Sequence, residues 1–384
     1  MGKYEKKQDA SGTRRVILTA LVSLACAAVM LLGLRWGLYH VGVPGSTAQA
    51  EAANLAVMDR YDMYITNQVS SALDGILDIE KVYWLNDDDQ IAPEPDPEKF
   101  GKASDAAQMA DFLADAEKLL DGQKTLFTTE TALLPDSQVT YYLDETIMSI
   151  TWQQELHNAV YTISEVKIAH PSQFRRFLAD GTYGSDKQYK TTEMAATVNA
   201  VTASSGDFYK FRPYGIFVYN RDVYRTDSRV DTCFITDSGD LLFARRGGLS
   251  GKENIEKYVQ ENHVRFSLAF GPVLVDDGQV VETYDYPIGE IENKYPRAVL
   301  CQMGQLHYLL IAVNIDQGTR RNVPDIATLA ETVQSLGCEK AYALDGGQTA
   351  VIVTNDELMN RPSYGYQRTL SDIIYFATAV PDGG

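Results

Sequence analysis

The strongest constraint on this chain is the run Val16–Leu34, which contains no charged residue and no proline. At about 1.5 Å per residue, such a run just spans a hydrocarbon core of roughly 30 Å as a helix. Lys3, Lys6, Lys7, Arg14 and Arg15 precede it, and Arg35, Trp36 and Tyr39 follow it. A basic flank on one side and aromatic residues on the other predict a single-pass plasma-membrane anchor. The N-terminus is then cytoplasmic and the rest of the chain extracellular. A cleaved signal peptide is the alternative, because Gly45-Ser-Thr-Ala-Gln-Ala50 ends in a small-x-small pattern. Both readings export the bulk of the chain.

Charge separates the two sides. Six Lys/Arg against two acids make the segment up to Arg35 +4, so the total of −18 leaves −22 for the remainder. A remainder that acidic does not attract nucleic acid or other polyanions by its overall field. An anionic ligand needs a local cluster of arginine, lysine or backbone N–H groups. Cys233, Cys301 and Cys338 lie far apart in apolar stretches and form no CxxC pair. They read as buried small hydrophobes, with one pair open to oxidation outside the cell, and no zinc site is expected.

The expected organisation is a tail at 1–15, a transmembrane helix at 16–34, a helical juxtamembrane region at 35–135 and a globular domain at 136–384. Within 47–80, Leu55, Met58, Ile65, Val69, Ala72, Ile76 and Ile79 recur at three- and four-residue spacing, broken only where Asp62 occupies the seam. That seam suits pairing with a second copy, as a homodimer, or packing on the chain's own domain. A loop rich in Asp and Pro follows, then a helix from Ser104 to Leu120. Beyond Gln138 short strands alternate with turn residues. The clearest helix is opened by Pro324 and Asp325 and closed by Gly337. Hairpin-linked strands, a few helices and one βαβ-like step predict an α+β domain with a mixed β-sheet and flanking helices. Helices are also predicted at Phe174–Leu178 and at 191–201, and one continuous strand over 266–275.

Three places could carry chemistry. Ser205-Gly206-Asp207-Phe208-Tyr209 puts a carboxylate between a glycine and two aromatics on which a sugar could stack. Asp345-Gly346-Gly347-Gln348-Thr349 puts another at the end of an apolar strand, where glycine amides can form an anion nest. Each is also an ordinary turn or bulge composition. Arg297, Arg320, Arg321, Arg361 and Arg368 lie near turns and are candidate phosphate clamps or surface ion pairs. His170 and His307 are the histidines worth testing. No GxSxG, HExxH or P-loop is present.

These residues, in this order, resemble the phosphodiester glycosidase family over roughly 165–378. The matching pieces are Gly206-Asp207-Phe208-Tyr209, Gly215-Ile-Phe-Val-Tyr219, Phe270-Gly271-Pro272 through Gly278, Pro296-Arg297-Ala298, Asp345 through Thr349, and Arg368-Thr-Leu-Ser-Asp-Ile373. The chain departs from the pattern at Gln348-Thr349, where the family has Gly-Ser, at Ser205 for Asn, at Ala298 for Thr, and after Val313, where an Arg is missing. The resemblance implies hydrolysis of a sugar-1-phosphodiester in an envelope polysaccharide or glycan. Asp207 and Asp345 are then the catalytic carboxylate pair, and Arg297 and Arg368 the phosphate clamps. Ser205, Tyr209, Gly346, Gly347, Gln348, Thr349 and His307 complete the binding set. No cofactor and no metal ligand set is expected. A catalytically inactive, glycan- or protein-binding relative is the alternative.

Overall fold

The computed structural model describes residues 91–282, 286, 294–314 and 323–380. The anchor at 16–34, the seam at 47–80, Arg320 and Arg321 lie outside the described residues. Among the described residues, no helix is long and apolar enough to cross a membrane. The chain divides into two units, 1–82 and 83–384, and all described residues belong to the second.

Numbered along the chain, nine strands form one sheet: β1 (Phe100–Ala103), β2 (Val139–Leu143), β3 (Ile147–Leu156), β4 (Ala159–Ile168), β15 (His307–Asn314), β14 (Arg297–Gly304), β16 (Lys340–Leu344), β12 (Val273–Asp276) and β13 (Gln279–Val280), in that spatial order. A second sheet orders β18 (Glu357–Leu358), β17 (Ile352–Thr354), β6 (Thr202–Ser205), β19 (Asp372–Phe376) and β5 (Phe174–Leu178). A three-stranded sheet of β10 (Leu241–Ala244), β9 (Thr232–Thr236) and β11 (Val264–Leu268) and the hairpin β7 (Ile216–Tyr219)–β8 (Asp222–Thr226) complete the strands.

Period-two alternation explains the layering. On β14, Val299 and Cys301 face a core shared with helices α1 (Ala110–Leu120) and α4 (Ile326–Ser335). Ala298 and Leu300 face the opposite core, shared with Phe174, Ile352, Ile374 and Phe376 of the second sheet. The outer face of that sheet is covered by Met194, Ala195 and Val198, from α2 (Thr191–Thr197) and its cap. Helix α3 (Lys252–Glu261) packs Ile255 and Val259 against Phe234 and Val264. The order is helix, sheet, sheet, helix.

Several expectations change. Every described ladder is antiparallel, so the sheet is not mixed. The βαβ-like step exists in split form: β15 and β16 run the same way, joined through α4, with β14 between them. The boundary at 135/136 does not divide the described residues, because β1 pairs with β2 and α1 shares the main core. Asp105, not Ser104, caps the entry to that helical segment, accepting from Ala107 N. Phe174–Leu178 is a strand, held between β19 and a buried environment that overrides its helical composition. Only Pro171–Gln173 before it forms a helical turn. The run 266–275 splits into β11 and β12, which belong to different sheets. The helix at 191–201 stops at Thr197. Cys233, Cys301 and Cys338 are free and buried, as their apolar surroundings suggested.

Candidate active site

One end of the two stacked sheets gathers the strand ends that matter. After Leu344 the chain leaves the first sheet and reaches β17 of the second through the loop 345–351. Two hydrogen bonds pin this loop to the end of β6. Asp345 N donates to Gly206 O at 3.2 Å, and Ser205 Oγ donates to Asp345 O at 2.9 Å. Gly347 N donates to Pro296 O at 2.9 Å, which ties the loop to the start of β14. Gly206 N donates to Asp372 O at 3.0 Å, which adds the start of β19. Ser205, Gly206, Asp207, Pro296, Arg297, Asp345, Gly346 and Asp372 are thus neighbours although they span more than 160 residues of sequence.

The glycines are required by close approach. A Cβ at Gly346 would overlap the Pro296 carbonyl oxygen, and one at Gly206 would overlap the Asp372 carboxylate. Gly347 has φ +70°, and a Cβ there would lie 2.7 Å from Tyr295 Oη. The anion nest expected of these glycines is not formed. The Gly347 amide already serves Pro296 O, and the Gly346 amide faces the Asp345 carboxylate. The loop's available donor is instead Gln348, whose Nε2 is buried and meets no acceptor among the described residues. Thr349 closes the turn, with Oγ1 donating to Gly346 O at 2.7 Å.

Asp345 is the carboxylate around which cations gather. Arg368 Nη2 approaches Oδ2 at 2.7 Å, and the Arg368 side chain is 39% exposed. The Arg368 guanidinium carbon lies 4.9 Å from the Phe208 ring centroid. Arg212 lies over Phe208 at 5.3 Å and over Phe270 at 4.6 Å. Arg297, beside Pro296, reaches over the Tyr295 ring at 5.6 Å. Burial pushes the Asp345 carboxyl above its ordinary value, while Arg368, Thr349 and Arg212 pull it back. The net rise suits a group that exchanges a proton.

Asp207 sits differently. Its side chain and that of Arg176 are 0% exposed and 3.1 Å apart. Asp207 Oδ1 accepts from Tyr209 N and Oδ2 from Ala269 N, both at 2.8 Å. Arg176 Nη2 also meets Asp372 Oδ2 at 2.7 Å, and its Nη1 donates to Ser267 O. Asp207 N donates to Asp372 Oδ2 at 3.1 Å. The result is a closed carboxylate–guanidinium–carboxylate triad under the Gly206 turn. Burial pushes the Asp372 carboxyl up to about 7, against the pull of Arg176 and with the push of Asp207. Tyr209 is buried against Tyr183 and Phe217, and burial raises its phenol to about 12. Phe208 is the aromatic that faces the arginines.

His307 lies elsewhere. It opens β15 opposite Gly304, whereas Arg297 stands at the other end of β14. Seven residues of strand put about 23 Å between those ends. His307 Nε2 instead meets Glu165 Oε1 at 2.8 Å, and Glu165 also accepts from Leu126 N and Phe127 N. His170 caps the Pro171–Gln173 turn through Ser172 N, and burial lowers its pKa to about 4. Arg176, Arg212 and Asp372 were not singled out from sequence. Arg212 follows the Asp207 element directly, and Asp372 lies within the Arg368 motif, so both were within reach. Arg176 is part of a Phe-Arg-Arg-Phe strand, whose buried charge only the fold reveals. Among the described residues, no group of three His, Cys, Asp or Glu side chains could hold a metal ion.

A buried carboxylate with arginines around it, at the joined ends of two sheets, is an arrangement that can hold an anion beside an acidic group. Residues 195–377 match the sequence model of the phosphodiester glycosidase family, in agreement with the resemblance carried by the motifs. No curated protein matches the sequence. Among solved structures, the catalytic domain of zebrafish N-acetylglucosamine-1-phosphodiester α-N-acetylglucosaminidase, auto-inhibited by its pro-peptide, is 15% identical with a TM-score of 0.51. The match covers 68% of this chain and 92% of that one. A hypothetical protein from Synechocystis is 12% identical with a TM-score of 0.48, over 65% of this chain and 64% of that one. The chain therefore spans just under two thirds of the Synechocystis protein.

Proposed function

We propose that the protein is a membrane-anchored, exported hydrolase that cleaves a sugar-1-phosphodiester in an envelope polysaccharide or glycan. The observation that carries this reading is the Asp345 carboxylate held 2.7 Å from Arg368, with Arg212 acting on it as well and Arg297 lying over the neighbouring Tyr295 ring. Water adds to the anomeric carbon and the bond from that carbon to the phosphate oxygen breaks. The phosphomonoester leaves with the electron pair, so protonation of the leaving group can be modest. Asp345 takes the proton from the attacking water, and the arginines neutralise the charge that grows on phosphate. Gln348 Nε2 donates to the ligand. Asp207 does not touch substrate in this reading. With Arg176 and Asp372 it holds the Gly206 turn against Asp345. The acidic surface leaves phosphate binding to this local cluster.

The anchor at 16–34 would tether the domain outside the plasma membrane, and the seam at 47–80 would pair two copies. The test is incubation with α-glucosyl and α-N-acetylglucosaminyl phosphodiesters, reading free sugar and phosphomonoester in equal amounts. Turnover that persists at full rate in Asp345→Asn would remove Asp345 from this role.

One observation favours a second reading, a catalytically silent glycan-binding relative. Glycoside hydrolysis generally uses two accessible carboxyl groups, and Asp207 is enclosed with both oxygens engaged. Calorimetric binding of those diesters without any sugar release would establish that reading.

A further inference from the structure

Large exposed apolar side chains are few among the described residues, and four of the seven lie on segments that pack against the Asp345 loop or against the aromatic under Arg368. Phe211 is 47% exposed, Tyr295 41%, Tyr364 69% and Tyr366 63%. Each is tied to the site by a contact or by its place in the chain. Phe211 stacks on Phe208 at 4.6 Å, and Phe208 underlies Arg368. Tyr295 stands over Gly347 and carries the Arg297 guanidinium on its ring. Tyr364 and Tyr366 belong to the segment leading into Arg368, and its turn Ser363–Gly365 packs beside the turn Gly347–Thr349.

The two tyrosines are held out by the backbone. Pro362 and Ser363 are buried, whereas Tyr364, Gly365 and Tyr366 are exposed. Tyr364 has φ +63°, a left-handed conformation that a bulky residue rarely adopts. Such a cost persists where the surrounding structure imposes it, and it clusters at ligand sites. A solvent-facing ring in that conformation has nothing of its own fold to cover.

We propose that these rings are stacking subsites for the successive sugar units of a glycan chain that bears the scissile phosphodiester. This deepens the function proposed above and rests on it: the substrate is a polymer or oligosaccharide, not a small diester. A pyranose offers an apolar C–H face to an aromatic ring and hydroxyls at its edge. Tyrosine matches both, with an apolar ring and a polar tip. Arg361 lies alongside Gly365, between the two tyrosines, placed to hydrogen-bond the hydroxyls. A protein partner would instead call for a central apolar anchor in a desolvated pocket. Here the rings are set around a charged centre.

The test compares α-N-acetylglucosaminyl and α-glucosyl phosphodiesters whose phosphate is esterified to a chain of one, two, three or four sugars. In the unaltered protein, KM should fall about three- to tenfold with each sugar that reaches a ring. Tyr364→Ala and Tyr366→Ala should flatten that dependence, and Tyr364→Phe should restore it, because the ring and not the hydroxyl makes the contact. If no diester is hydrolysed, the same series is measured by calorimetry. Affinity that rises with chain length and is flattened by the alanine variants keeps the subsites and removes the catalysis. A KM or affinity independent of chain length overturns the proposal, as does a length dependence that survives both alanine substitutions.

Discussion

Arg176 lies between Asp207 and Asp372, 3.1 Å from one carboxylate and 2.7 Å from the other, with no exposed side-chain surface on any of the three. It joins β5, β19 and the Gly206 turn into one unit behind the candidate active site. Arg176→Met should therefore leave two buried carboxylates without their cation. Breaking a buried ion pair from one side costs about 3–5 kcal/mol, so urea denaturation should show a loss of that order. A variant as stable as the parent would mean that the triad is not a structural clasp.

Stability should also depend on pH through Asp372. Its folded carboxyl is pushed up to about 7 from an ordinary 3.8, so the folded state keeps a proton that the unfolded state has already lost. Its stabilising effect is complete below about 4 and is lost as pH rises through about 7. Asp372→Asn removes this dependence. The parent should lose stability relative to Asp372→Asn between pH 4 and pH 8, measured as the difference in unfolding free energy. Parallel pH profiles would contradict the assignment.

Asp345→Asn should separate chemistry from folding. Removing a general base lowers kcat by about 10²- to 10⁴-fold. Arg368 is partly exposed and can recover water, so stability should change by less than about 1 kcal/mol. The acid limb of kcat/KM in the parent should lie above the ordinary carboxylate range, because burial raises this group. An acid limb at or below pH 3.8 would point to another residue.

Gly346→Ala and Gly347→Ala should differ in severity. At Gly346 the new methyl meets the Pro296 backbone carbonyl, which cannot swing away. At Gly347 it meets the end of the Tyr295 side chain, which can move, although φ +70° adds about 1–2 kcal/mol. Thermal melting should rank Gly346→Ala as the less stable variant, with the greater loss of turnover. The opposite ranking would mean that the loop yields at Pro296.

His307→Gln provides the control at the far end of the sheet. It removes the partner of the buried Glu165, at a cost of about 1–3 kcal/mol. The KM for any diester the parent hydrolyses should stay the same. A raised KM would place His307 closer to the ligand than β14 and β15 allow.

Much of the architecture is legible in the chain itself. The hairpins around Asp144, Asp237 to Asp240 and Met303-Gly304 follow from alternation broken by turn residues, because a strand's period is local. The helix at Asp325 follows from its cap, which accepts from Thr328 N at 2.8 Å. Phe174–Leu178 could not be read this way, since its pairing with Asp372–Phe376 joins segments nearly 200 residues apart. The same distance hides the triad, because nothing near Arg176 in sequence announces two carboxylates.

Sequence alone determined the uncharged run at the N-terminus, the α+β character and the two glycine-flanked aspartates, all of which depend on neighbouring residues. Tertiary structure alone decided that Asp345 meets Arg368 while Asp207 is sealed by Arg176. Both aspartates follow strands and touch glycine. What separates them is the charge and the solvent that distant strands bring to each carboxylate.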